Sequence, residues 1–280
     1  MAKVGVVMPC FNHGKYIDEA VQSILDQTFQ DIEIVIIDDG SNDGFTREKL
    51  QKSCFPKTKI FFQDNQGPCV ARNNAISFTT AEYILPLDAD DHFDSTYIEK
   101  AVNVLNSNPG MGAVTCFIQL FGDANHIVKT TGGNSCDFVS RNNACVSSLF
   151  RRICWEEVGG YNIVMKDGYE DWDFWLSITE KGWSVGVIEE VLFYYRRINT
   201  ESRDLNADKL KPRLIKQIVE NHIDIYRENL VSYVINKEEE IIKLKEANQV
   251  IIDQIYDSKQ YKIGNKLLLP LIAFKKIVFG

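Results

Sequence analysis

A chain of 280 residues, 45% of them hydrophobic, can bury a large core, as one substantial domain with an appendage. A net charge of -8 at pH 7 argues against general nucleic-acid binding, so no nucleic-acid partner is expected. Seven cysteines, scattered from Cys10 to Cys154 without the close pairs of a zinc site or the even count of a disulfide framework, read as reduced thiols of a cytosolic protein.

The opening run is too short and too early for a signal peptide, and no stretch reaches the ~20 uninterrupted apolar residues of a spanning helix. Val4 to Met8 is apolar and β-branched and closes on Pro9, which predicts a buried strand. After the turn Phe11, Asn12, His13, Gly14, the spacing of Tyr16, Ile17, Ala20, Val21, Ile24 and Leu25 predicts an amphipathic helix ending near Thr28. Ile32 to Ile37 is a second apolar run, continuous rather than alternating, as in a parallel sheet covered on both faces. It ends in Asp38, Asp39, Gly40 and Ser41. A helix over 45–52, a strand over 59–62 and a helix opened by Gly67 and Pro68 follow, the last carrying Ala71, Arg72 and Asn73.

The next strand, Tyr83 to Leu87, breaks into Asp88, Ala89, Asp90, Asp91. Carboxylates so close repel one another, and a hard divalent cation with a phosphate beyond it would offset them. A turn leading into a helix N-terminus accounts for the same residues. An EF-hand spacing of Asp88, Asp90 and Glu99 also exists, but Phe93 stands where that loop needs glycine. Strand and helix alternate up to here, the α/β doubly wound pattern in which ligands sit outside the carboxyl ends of the strands. The G-x-G-x-x-G fingerprint is missing from the first turn, against a nicotinamide or flavin enzyme.

Beyond it the sequence predicts a helix over 95–105, a strand over 112–121, loops or a short hairpin over 122–144, a strand over 145–150 and a helix over 151–158. A helix starts at Tyr169, Glu170, Asp171, Trp172 and runs to Lys181, followed by short strands over 185–188 and 191–195. From Asp208 the texture becomes helical. Val234, Ile241, Leu244, Asn248, Ile251 and Ile255 fit heptad core positions, in a surface helix or a homodimeric coiled coil. Residues 259–280 carry five lysines and no acid among many apolar residues, a composition suited to peripheral membrane contact or to docking on a partner.

Two acidic clusters thus stand far apart in sequence, Asp88 to Asp91 and Glu170 to Asp173. A metal-held leaving group at the first and a general base at the second would suffice for transfer to a hydroxyl. Acids in a helix's first turn and aromatic neighbours that fill the core explain the second cluster equally well.

Taken in order, Pro9, Phe11 and Asn12; Asp38, Asp39, Gly40, Ser41; Gly67 with Ala71, Arg72 and Asn73; Asp88 to Asp91; and Glu170, Asp171, Trp172 resemble the family 2 glycosyltransferases of GT-A fold. The resemblance covers roughly residues 3 to 200. It implies a Rossmann-like, mostly parallel sheet over residues 1–205, with a nucleotide-binding half at 1–91, an acceptor half at 92–205, and a helical extension at 206–280. It implies an inverting hexosyltransferase that uses a nucleoside diphosphate sugar, UDP-linked, with Mn2+ or Mg2+. Asp39 would meet the base, with Pro9, Phe11 and Asn12 lining its pocket and Arg72 close to the base or diphosphate. Asp88 would contact the ribose, Asp90 the metal, and Asp171 would deprotonate the acceptor hydroxyl. Trp172 would serve as acceptor wall or as packing. Ile198 and Asn199 stand where members often carry a histidine, so Arg196 or Arg197 is the alternative contact to the diphosphate. The tail resembles that of bacterial enzymes that extend lipid-linked surface polysaccharides, which implies a glycan or lipid-linked acceptor and a place at the inner face of the cell membrane. A nucleotidyltransferase is the rival enzyme, although the first loop lacks a Gly-rich phosphate cradle; a catalytically degenerate sugar-nucleotide-binding subunit is the non-enzymatic alternative.

Overall fold

The computed structural model describes residues 2–198, 203–258 and 261–263. It divides into two compact units, Met1–Asn229 and Leu230–Gly280. The first begins as the sequence predicts: β1 (Val4–Cys10), α1 (Ile17–Leu25), β2 (Ile32–Asp39), α2 (Thr46–Lys52), β3 (Thr58–Gln63), α3 (Pro68–Ser77) and β4 (Tyr83–Pro86). The four strands are parallel in the order β3-β2-β1-β4. Their apolar runs are continuous because both faces are covered. Val4, Val6 and Met8 of β1 and Ile34 and Ile36 of β2 share a core with Ile17, Val21 and Ile24 of α1. The alternate residues Val7, Val35 and Ile37 are buried too, where α3 packs across β1 and β2.

The second half adds β5 (His92–Phe93), α4 (Tyr97–Ser107), β6 (Met111–Gly122), β7 (Ile127–Val128), α5 (Ser135–Phe138), β8 (Leu149–Arg151), α6 (Arg152–Val158), α7 (Glu170–Glu180) and β9 (Ser184–Arg197). The sheet continues β4-β8-β6-β9-β5, with β8 antiparallel to both neighbours and β9 parallel to β6. The fold is therefore α/β with a mostly parallel, GT-A-like sheet. The stretch expected to be a hairpin or loops supplies β7, antiparallel to β6, and the short α5. The two strands expected over 185–195 are one. Between Ile188 and Val191 the register against β6 slips, so Glu189 and Glu190 form an irregularity inside β9 rather than its end. β5 is too short to carry a hydrophobic period, and its pairing with Phe193 and Tyr194 brings the end of β9 to the acidic turn.

Helices α8 (Arg203–Asn221) and α9 (Ile223–Glu228) belong to the first unit, since Leu214, Ile218, Ile225 and Tyr226 are buried. The boundary between the two compact units falls at 229/230. His222 lies between α7 carboxylates, with Nδ1 2.8 Å from Glu180 and Nε2 3.3 Å from Asp173. Burial disfavours its charged form, yet hydrogen bonds to Asp173 and Glu180 outweigh that and lift its pKa to about 9. The second unit contains α10 (Leu230–Asp257), which has no buried residue. No described helix is long and apolar enough to cross a membrane. Apart from 261–263, the proposed membrane-contacting tail lies outside the described residues.

Candidate active site

In the parallel register Cys10 faces Asp38 and Val7 faces Pro86, so β1, β2 and β4 deliver their carboxyl ends to one edge of the sheet. Three loops with chemistry leave from there. Asn12, in the left-handed region at φ 59°, locks two of them together. Its backbone N–H donates to Ser41 Oγ, its Oδ1 accepts the N–H groups of Asn42 and Asp43, and its Nδ2 donates to Asn42 Oδ1. Beside it Phe11 is 40% exposed, a ring face open to a ligand. Pro9 sits half-buried in β1 opposite Ile37.

Asp39 is buried, and its carboxylate accepts Gln63 Nε2 at 2.7 Å and the backbone N–H groups of Gln66 and Gly67 at 2.9 Å each. Those donors fix its orientation and occupy three of about four lone-pair sites. The turn it leads into requires glycine: at Gly40, φ 71°, a Cβ would lie 2.5 Å from the Asn65 backbone nitrogen.

In the acidic turn, three carboxylates meet three different partners. Asp88 accepts Arg72 Nη2 at 2.7 Å. Asp90 lies 3.4 Å from His13 Nδ1. Burial works against the charged imidazole, but Asp90, and then the charge of Asp88, leave the His13 pKa raised overall. Asp91 is buried, accepts the Arg196 backbone N–H at 2.8 Å through Oδ1, and leaves Oδ2 without a partner. Burial first, then the charges of Asp90 and Asp88, raise its pKa above the ordinary carboxylate value, and it supports the turn through its bond to the Arg196 backbone. Arg196 clasps the turn from outside: Nε donates to the Asp90 carbonyl, Nη2 pairs with Glu19, and the guanidinium lies over Tyr16 and Phe121. It serves the turn itself.

Arg72 is almost fully buried and joins the two acidic clusters. Nη1 donates to Glu170 at 2.9 Å while Nη2 holds Asp88. It is thus a bridge from the sheet edge to the first turn of α7. Next to Glu170, Asp171 is held by neutral donors, Asn142 Nδ2 and the Trp172 backbone N–H, each at 2.8 Å. Burial and the neighbouring Glu170 charge raise its pKa to about 7, against these hydrogen bonds and the charge of Arg72. A carboxyl with partial solvent access and a pKa near neutrality is matched to general-base work. Trp172 is packing: its Nε1 donates to the Phe138 carbonyl in the interior. The helix is entered through Tyr169 at φ 60°, a strained conformation for a non-glycine residue.

The structure brings Pro9, Phe11, Asn12, Asp39, Asp88 and Asp90 to one edge, and Arg72 ties them to Asp171. His13 and Asn142 escaped the sequence analysis as site residues. His13 sits in a turn whose polar residues looked like turn formers, and Asn142 lies in a polar stretch without periodicity. Glu99, the last position of the EF-hand spacing, instead accepts Thr28 Oγ1 on the surface of α4. Asp88 and Asp90 offer oxygen donors alone, which fits a hard cation. Among the described residues no three His, Cys, Asp or Glu side chains converge.

The model of glycosyl transferase family 2 matches residues 5–159. The putative teichuronic acid biosynthesis glycosyltransferase TuaG of Bacillus subtilis is 28% identical over 206 residues, 70% of this chain and 79% of that protein. The chondroitin synthase of Escherichia coli is 26% identical over 84% of this chain, which spans only 33% of its length. Several other relatives are likewise matched over only about a third of their length. Among solved structures, Staphylococcus aureus TarS 1-349 in complex with UDP superposes with a TM-score of 0.59 at 18% identity, covering 81% of this chain and 70% of that one. Pyrobaculum calidifontis mannosyltransferase PcManGT, in complex with GDP-Man and Mn2+, superposes with a TM-score of 0.58 at 18% identity, covering 99% and 87%. At such identities the likeness is one of fold.

Proposed function

The chain belongs to glycosyl transferase family 2, and on that premise we propose that it moves a sugar from a nucleoside diphosphate sugar, UDP-linked, to a hydroxyl of a glycan or lipid-linked acceptor in surface-polysaccharide synthesis, inverting the anomeric centre. The observation that carries this reading is Asp171: a carboxyl with a pKa of about 7, joined through Glu170 and Arg72 to the acidic turn. The surface-glycan assignment draws on TuaG, and the choice of UDP on the TarS complex.

Asp39 has one lone-pair site left to receive the N3–H of uracil, between the half-buried Pro9 and the exposed ring of Phe11. Asn12 holds the two loops that frame that pocket. Asp88, oriented by Arg72, would contact the ribose, and Asp90 would hold Mn2+ or Mg2+. Bound there, the cation supplies neutralisation of the negative charge on the departing diphosphate. Asp171 takes the proton of the acceptor hydroxyl. The acceptor oxygen forms its bond to the anomeric carbon from the face opposite the diphosphate, whose oxygen leaves with the electron pair of the broken bond. Residues 1–91 serve the donor in this scheme and 92–205 the acceptor. A place at the cytoplasmic face of the membrane is supported by the sequence of 259–280 alone, whose lysines and apolar residues suit an anionic headgroup layer.

The test is calorimetric titration of a panel of nucleoside diphosphates, with Mn2+ and with chelator, alongside Asp90→Ala. UDP binding that needs the cation and disappears in the variant is expected. Failure of every nucleotide to bind would overturn this reading.

A further inference from the structure

The longest helix of the chain has no part in the chemistry above. α10 runs for 28 residues, about 42 Å, without one buried residue. Val234, Ile241, Ile251 and Ile255, each between 41% and 53% exposed, are β-branched residues that contribute little helix propensity. An isolated helix of this kind is marginal in water, and in proteins most helical stability comes from packing an apolar face.

We propose that the occupant of that face is α10 of a second copy, in a parallel two-stranded coiled coil. Three features of the sequence on this helix select that partner. Val234, Ile241, Asn248 and Ile255 fall at successive a positions, with Lys237, Leu244 and Ile251 at d. β-branched residues at a, with leucine at a d position, favour two strands. Asn248 is the polar a residue of the series. In the parallel register it faces Asn248 of the second copy, and the two amides bond each other; in an antiparallel pair it would face an apolar d residue and lose its partner. Glu240 and Lys245 then occupy g and the following e position, so Glu240 meets Lys245 of the second copy across the seam, twice per dimer. Glu240 also accepts Lys237 Nζ within its own helix.

Sedimentation equilibrium of the full chain tests this, with far-UV circular dichroism and nucleotide binding to show that each variant is folded. The wild type is expected to be a concentration-dependent dimer, and Ile241→Asp a monomer. Glu240→Lys and Lys245→Glu each turn two attractive contacts into repulsive ones and weaken association roughly tenfold. Mixing these two variants restores opposite charges at both contacts, so a heterodimer of near wild-type affinity forms. A wild type that stays monomeric, including one that associates only on anionic vesicles, overturns the proposal. So does a dimer indifferent to Ile241→Asp, or a mixture of the charge variants no tighter than either alone.

Discussion

At the end of β4, Asp88 faces a guanidinium, Asp90 an imidazole, and Asp91 a backbone amide from β9. At the start of α7, Glu170 takes the other arm of the same guanidinium, while Asp171 one residue later is touched only by an asparagine amide and a backbone N–H. Both clusters are runs of acids at the mouth of a parallel sheet. Their partners separate them. Basic side chains orient Asp88 and Asp90 in the turn, whereas burial with neutral donors lifts Asp171 to about 7, where it can both accept and release a proton.

The largest effect that would break this contrast is expected from Asp171→Asn, which should lower turnover by about a hundredfold to ten-thousandfold while nucleotide affinity by calorimetry stays at the wild-type value. The wild-type rate should also climb as pH rises through about 7, because the base must be deprotonated. A variant with near-normal turnover, or a flat profile between pH 6 and 8 (roughly one unit either side), would remove Asp171 from the role of base.

Arg72→Met takes the shared guanidinium from both clusters at once, from the buried Glu170 as well as from Asp88. Urea unfolding should show a loss of about 3–5 kcal/mol. A loss under about 1 kcal/mol, the scale of an exposed pair, would mean that the bridge does not couple the clusters.

Farther along α7, His222 offers the opposite case, a cation among carboxylates. Its folded pKa, about 9, lies above the ordinary 6.5, so its contribution to stability is fully present below pH 6.5 and fades as pH rises through about 9. Unfolding curves across that window should lose this component in His222→Gln. An identical pH dependence in the variant would mean that the pairing of His222 with Asp173 and Glu180 does not contribute to stability.

The smallest expected effect sharpens the comparison most. The amide of Asn142 favours the charged form of Asp171, so Asn142→Ala should move the acid limb of the pH profile to higher pH and cost only a few-fold near neutrality, recovering at higher pH. A uniform loss at every pH would instead mark Asn142 as packing.

Much of this was legible along the chain. The apolar runs of β1, β2 and β4, the helical spacing of α1 and α4, and the acids after β2 and β4 follow from periodicity and turn chemistry, which act over a few residues. β5 and the single long β9 were not, because a two-residue strand has no period, and Glu189 and Glu190 imitate a strand break that pairing with β6 overrides. The site divides along the same line. Asp39, Asp88, Asp90 and Asp171 announce themselves as residue types at strand and helix ends. Arg72 as a bridge, Arg196 as a clasp, and the backbone partner of Asp91 depend on contacts between residues 98, 106 and 105 positions apart. Sequence by itself determined the family, the parallel sheet and which acids stand at its edge, since these are properties of local pattern. Only the tertiary structure decided which acid meets a guanidinium, which is buried against a backbone amide and which is poised near 7, because burial and the identity of the opposing donor are set by distant parts of the chain.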